Sequence, residues 1–160
     1  MLALAIVAAT SLGACSSFKP VYGDGGVTVA ENGKFRFAPP QNRLDQIIYQ
    51  NMLLTLGQSR SSTAPLVEIA TSAASTDLTR SASLRPNDQR QAVVTATIKI
   101  TSASGAVVFN TTRSASAAYT VDSQGLANSE AQTDAEERAA RELAETVRLT
   151  LLSSMGLKGA

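Results

Sequence analysis

Cys15 is the one thiol in the chain, and histidine is absent altogether. Without imidazole, the commonest general base and the commonest transition-metal ligand are both missing. A single thiol cannot close an internal disulfide either. Pairs such as Thr76-Asp77 and Thr133-Asp134 have no base beside them to activate a hydroxyl, so no catalytic role is expected of the chain. What remains for chemistry is Cys15 itself and a set of cations. Arg80, Arg85 and Arg90 fall in one polar stretch, with Lys99 and Arg113 further along. Guanidinium forks match phosphate oxygens, so these five are candidates for binding a phosphate-bearing ligand. The plainer alternative is a set of solvated charges that keep a loop soluble and are screened by salt.

Cys15 closes an apolar run. Leu2 to Ala9 is continuously aliphatic, no charged side chain precedes the cysteine, and the run ends Leu12-Gly13-Ala14. An apolar core followed by small residues and a cut site is the layout of a secretory signal peptide. A membrane-spanning helix would need ~20 residues to cross ~30 Å of hydrocarbon, more than this run supplies. A buried helix with a core cysteine leaves the Gly-Ala-Cys ending without a reason. Leu-Gly-Ala-Cys resembles the lipobox of bacterial lipoproteins. The resemblance implies a diacylglycerol on the sulfur, cleavage before Cys15 and acylation of the new α-amine. No Lys or Arg precedes the run, which is consistent with a translation start upstream of Met1. The expected organisation is a leader over 1–14, a lipidated tether over 15–26 and one domain over 27–160.

Composition limits what that domain does. Fourteen Lys and Arg against 13 Asp and Glu leave a formal charge of +1, too small an excess to neutralise nucleic-acid phosphates. With no histidine and one acylated cysteine, no zinc site or other metal cofactor is expected. Few aromatics and much Ala, Ser and Thr suit a module that packs against another protein or fills a polar cavity.

The periodicities then place the elements. Val27 to Val29 and Phe35 to Phe37 alternate around the turn Glu31-Asn32-Gly33-Lys34, which points to a strand or a hairpin. Asn42 is a helix N-cap, with Asp45 in the first turn facing the positive helix end. Leu44, Ile48, Met52 and Leu56 recur every four residues, so an amphipathic helix is expected over Arg43 to Leu56, stopped at Gly57. Val67, Ile69, Thr71 and Ala73 form one face of a strand within 65–78. Arg80 to Arg90 reads as a polar connection, with Pro86-Asn87-Asp88 as its turn.

From Ala92 the alternation becomes regular: even positions to Ile100 are apolar, and odd positions are largely Thr with Lys99. After the turn Ser102-Ala103-Ser104-Gly105, odd positions from Val107 to Val121 are largely apolar and even ones are mostly Ser, Thr and Asn. The two runs make a long antiparallel hairpin with a core face and a hydroxyl-rich face. Arg113 breaks the pattern at an apolar-parity position, which marks either departure from the core or a bulge. Gln124 to Asn128 reads as a loop, and Ser129 with Gln132 as a capping-box start. Ala135, Ala139, Leu143, Val147 and Leu151 define a second helix, ending at Gly156. Its opposite face is a charged lattice from Glu137 to Arg148, expected to be solvated. Such helices must cover one sheet face, which makes a two-layer α+β sandwich whose strand tips project beyond the core.

Behind the cysteine runs Ser16-Ser17-Phe18-Lys19-Pro20-Val21-Tyr22-Gly23. This resembles the mature start of the LptE family of lipopolysaccharide-assembly lipoproteins, where Phe-x-Pro-Leu/Val-Tyr-Gly closely follows the lipidated cysteine. The resemblance implies two helices on one face of a four-stranded mixed sheet, across essentially the whole mature chain. It also implies a partner, the outer-membrane β-barrel LptD, whose lumen such proteins plug and whose assembly and delivery of lipopolysaccharide they assist. Ser16, a residue other than Asp after the cysteine, fits sorting to the outer membrane. Phe18, Pro20 and Tyr22 would either dock on the barrel wall or pack the first strand against the sheet. A different class remains open beside it, an auxiliary lipoprotein of an envelope ABC-type lipid transporter.

Overall fold

The computed structural model describes residues 34–78 and 88–156. The expected leader, Cys15, the expected tether, the expected strand at Val27 to Val29, Arg80 and Arg85 lie outside them. In chain order the elements are β1 (Arg36–Phe37), α1 (Arg43–Leu56), β2 (Leu66–Asp77), β3 (Asp88–Thr101), β4 (Val107–Val121) and α2 (Gly125–Gly156). The strands form one sheet in the order β1-β2-β3-β4, with β1 parallel to β2 and the other pairs antiparallel. Both helices pack on one face, so the fold is the α+β two-layer sandwich with a mixed sheet.

The strand pattern sets which face is which. Val67 pairs with Ile100 and Ile69 with Ile98, so odd residues of β2 and even residues of β3 share a face. Val94 pairs with Ala115 and Ile100 with Phe109, which puts odd residues of β4 on that face too. Ala92, Val94, Ala96, Ile98 and Ile100 are all buried there. Against them α2 turns Ala139, Ala140, Leu143, Ala144 and Val147. Four alanines on the buried stripe (Ala135, Ala139, Ala140 and Ala144) let the helix axis come close to the sheet.

Element lengths decide how far the cover reaches. At ~1.5 Å per helical residue, the 32 residues of α2 span about 48 Å, which matches the 15 residues of β4 at ~3.4 Å each. The 14 residues of α1 span only about 21 Å, roughly half of the 12-residue β2. The upper part of β2, from Ser72 to Asp77, is accordingly exposed on both faces. The projecting strand tip expected from the sequence is therefore present.

Asp45 pins α1 at the level where that cover stops. It is 3% exposed, and its Oδ1 accepts from the Thr71 N–H (2.8 Å) and hydroxyl (2.7 Å) while Oδ2 accepts from the Gln41 N–H (3.2 Å). Asn42 caps the helix as expected, its Oδ1 taking the Asp45 N–H at 2.8 Å. The buried stripe of α1 is Asp45, Ile48 and Met52, whereas Leu44 and Leu56 are only half-buried. Gly57 ends the helix at φ 65, donating to Leu53 O.

Three boundaries differ from expectation. β3 already begins at Asp88, so Arg90 is a strand residue paired with Asp77 and Tyr119 rather than part of a loop. Opposite charges placed directly across the ladder extend the pairing beyond the apolar core. α2 starts at Gly125, not at Ser129, whose hydroxyl donates back to Leu126 O instead of capping. Asp122 organises that start, taking the Gln124 N–H while Asn128 bonds both its N–H and its carbonyl. The bulge expected as one option at Arg113 lies instead between Ile100 and Thr101, beside the Gly105 turn (φ +84).

Replacing Asp45 with Ala strands two donors of Thr71 and should cost about 2–3 kcal/mol in urea denaturation, while Asp45→Asn, which keeps an acceptor oxygen, should cost less.

Candidate interaction surface

The face opposite the helices has no cover among the described residues. Even residues of β2 and β4 and odd residues of β3 line it, and most carry hydroxyl or amide groups: Ser72, Thr95, Thr97, Asn110, Thr112 and Ser114 are representative. Sequence alternation alone made this face polar. Its β-branched threonines also favour the extended backbone that displays them. Hydroxyls both donate and accept and rotate to suit a partner, so such a face can meet water or a polar wall without leaving a group unpaired.

The few charges on it are neutralised in place. Lys99 Nζ donates to Glu68 Oε2 at 2.8 Å across the β2–β3 ladder. Gln91 Nε2 donates to Ser116 Oγ. At the projecting end, on the helix side, Arg90 Nε lies 2.7 Å from Asp77 Oδ1; its N–H does not aim along that line, so the contact is one of charge rather than a hydrogen bond. Ser75 and Tyr119 share a hydroxyl–hydroxyl bond of 2.6 Å just below it.

The candidate cations do not converge among the described residues. Arg90 and Lys99 stand on opposite faces, separated by about 30 Å of strand at ~3.3 Å per residue. Arg113, level with Ala96, keeps its helix-side parity at the sheet edge and donates to Thr111 Oγ1 (3.0 Å) and Thr112 O (3.0 Å). Each of the three is thus engaged within the chain. Arg80 and Arg85 lie outside the described residues, in the segment that joins β2 to β3.

The charged face of α2 is more connected than a solvated lattice. Glu137, with 19% of its side chain exposed, takes both Arg141 (3.4 Å) and Arg43, tying α2 to the start of α1. Arg148 hydrogen-bonds Glu145, which holds that carboxyl below its usual range and raises the guanidinium. Arg138 pairs with Asp134 (2.9 Å) and also reaches the Ala118 carbonyl of β4 at 3.1 Å. Sequence reasoning found the lattice but not this reach, because i,i+4 spacing describes neighbours on a helix and not strands beneath it. Asp45 did leave a signal: its 45/48/52 spacing with Ile48 and Met52 placed it on the apolar stripe. Among the described residues there is no cluster of His, Cys, Asp or Glu suited to a metal, and no helix is long and apolar enough to cross a membrane.

No family model matches the sequence, and no curated protein does. Solved structures share the fold. A candidate lipoprotein of Caulobacter crescentus CB15 matches with a TM-score of 0.58 at 21% identity, over 82% of this chain and 96% of that one. The rare lipoprotein B of Shewanella oneidensis matches with a TM-score of 0.62 at 10% identity, over 79% and 97%. A minor lipoprotein of Acinetobacter baumannii gives 0.53 at 13%, over 78% and 94%. At these identities the likeness is one of fold, and it takes in almost the whole of each of these solved chains.

Adjacent residues on the two faces should respond to truncation by very different amounts: Ile98→Ala should lose about 2–4 kcal/mol of stability, and Thr97→Ala less than about 1 kcal/mol, by chemical denaturation.

Proposed function

We propose that this chain is a non-catalytic lipoprotein of the cell envelope, anchored through Cys15 to the outer membrane, that seats inside the lumen of an LptD-type β-barrel. There it plugs the barrel, helps it assemble and assists delivery of lipopolysaccharide to the outer leaflet. The observation that carries this is the hydroxyl-rich sheet face, uncovered among the described residues, whose scarce charges are already paired at Glu68–Lys99. A plug in a polar lumen needs a surface that can exchange hydrogen bonds with water and wall alike, without stranding unpaired charges where water is scarce.

Two further facts support it. The Leu-Gly-Ala-Cys ending and the Phe18-Lys19-Pro20-Val21-Tyr22-Gly23 run resemble the start of the LptE family. The fold is one shared with proteins named as lipoproteins, rare lipoprotein B among them. The anchor is physically sufficient, since three acyl chains at ~0.8 kcal/mol per buried CH₂ hold stably where one binds only marginally.

In this reading Arg80 and Arg85 meet lipid A phosphates at the projecting end of the β2–β3 hairpin. Arg90, already committed to Asp77, would contribute only on release from that carboxylate. Lys99 and Arg113 would contribute only on release from Glu68 and from the β4 edge.

Detergent extraction of outer membranes should yield the chain in stoichiometric complex with a large β-barrel, with a mature N-terminus at acylated Cys15 by mass spectrometry. Fractionation wholly with an inner-membrane transporter would favour the auxiliary transport role instead, and an unmodified Cys15 still joined to Ala14 would remove the anchor. The variant Arg80→Glu/Arg85→Glu should weaken lipopolysaccharide binding several-fold with an unchanged melting temperature; unaltered binding would take these two out of the account.

A further inference from the structure

β4 is an edge strand of 15 residues, and among the described residues nothing pairs with its outer side. The ladder fixes which backbone groups point outward. Leu78 N–H donates to Gln89 O, so even residues of β2 bond toward β3, while the odd residues Val67 and Thr71 bond away from it, to Ala38 and Asp45. Carried through the register, odd residues of β4 bond to β3 and even residues turn their N–H and C=O to the free edge.

Two of those outward carbonyls are covered, each by an arginine. Arg113 donates to Thr112 O at 3.0 Å, and Arg138 reaches over from α2 to Ala118 O at 3.1 Å. Between them the outward backbone groups of Ser114 and Ser116 form an open window. Its side chains are small on both faces, Ala115 and Ala117 toward the helices and the two serines away, so another backbone can approach closely. Edges this long are ordinarily blunted by proline, lysine or a bulge. Here proline and lysine are missing from β4, and the bulge lies at the far end beside Thr101.

We propose that the β4 edge around Ser114 and Ser116 is a strand-accepting surface, covered at its ends by Arg113 and Arg138, and that its occupant is an extended, neutral or acidic segment of the barrel partner. This rests on the barrel reading above. Charge selects against a second copy of the chain. An antiparallel self-pairing centred on the window sets Thr112 of one copy opposite Ala118 of the other, which brings Arg113 of one beside Arg138 of the other at each end. Like charges would meet there just as both lose the carbonyls they cover. A carboxylate on an incoming segment does the reverse, since it takes over a guanidinium as the new strand takes over its carbonyl. Main-chain pairing of this kind supplies attachment, and side chains at alternate positions supply selectivity.

Residue-resolved amide hydrogen exchange, on the free chain and on the chain in its purified barrel complex, tests this. In the free chain Ser114 and Ser116 should exchange quickly, alternating with protected Ala115 and Ala117. In the complex the alternation should vanish, with both serine amides slowed at least tenfold. Ser116→Pro removes one outward N–H without touching the β3 ladder, so it should leave the melting temperature within a few degrees and reduce barrel recovery. A barrel complex in which Ser114 and Ser116 exchange as fast as in the free chain overturns this inference alone; absence of any barrel complex overturns it together with the reading it rests on. Should Ser116→Pro fail to fold, the exchange comparison on the unaltered chain still decides.

Discussion

Every even-numbered side chain of β3 from Ala92 to Ile100 lies beneath helical cover, and the rest of the molecule is arranged around that row. Because side chains alternate along a strand, committing one parity to the core commits the other to the outside without further instruction. The neighbouring strands inherit the same division through the ladder. The apolar row thus creates the polar face as its necessary reverse. That face is the inner consequence of a one-sided sandwich, and it is also the surface with most to offer a partner.

A sheet covered on one side has three kinds of boundary to manage, and each is handled differently. The open face is furnished with hydroxyls and one internal ion pair, Glu68 with Lys99. The β2 edge is stopped by a side chain: Asp45 occupies the Thr71 N–H where a longer β1 would continue. The β4 edge is covered at two carbonyls by arginines that can let go, since hydrogen bonds from exposed guanidiniums to backbone are individually modest. A fixed stop on one edge and removable covers on the other give the sheet a direction in which it can grow.

Helix length sets the outline. α2 matches β4 in length and buries the even-numbered row of β3 beside it, whereas α1 gives out at Thr71 and leaves the upper β2 bare. Glu137 joins the two helices near that point through Arg43, and Arg141 of its own helix holds it in place. The charged lattice of α2 therefore does more than keep a surface wetted. One arginine closes a strand edge, and one glutamate ties the helices together.

Sequence alone determined the period of each element, and with it the fold class: period two in three long segments, period near four in two others, and turn chemistry between them. It determined the polar face as well, because alternation is a local property. Element ends were less legible, as at Gly125 and Asp88, where a distant partner or an Asx turn outweighs local preference. The roles of Asp45, Arg113 and Arg138 were decided only by tertiary structure. Each depends on which strand lies beside which and on which backbone groups that register turns outward. Arg113 shows this most clearly. Its parity marked it in the sequence as out of place, but only because β4 is the last of the described strands in the sheet does an arginine there have an outward carbonyl to cover.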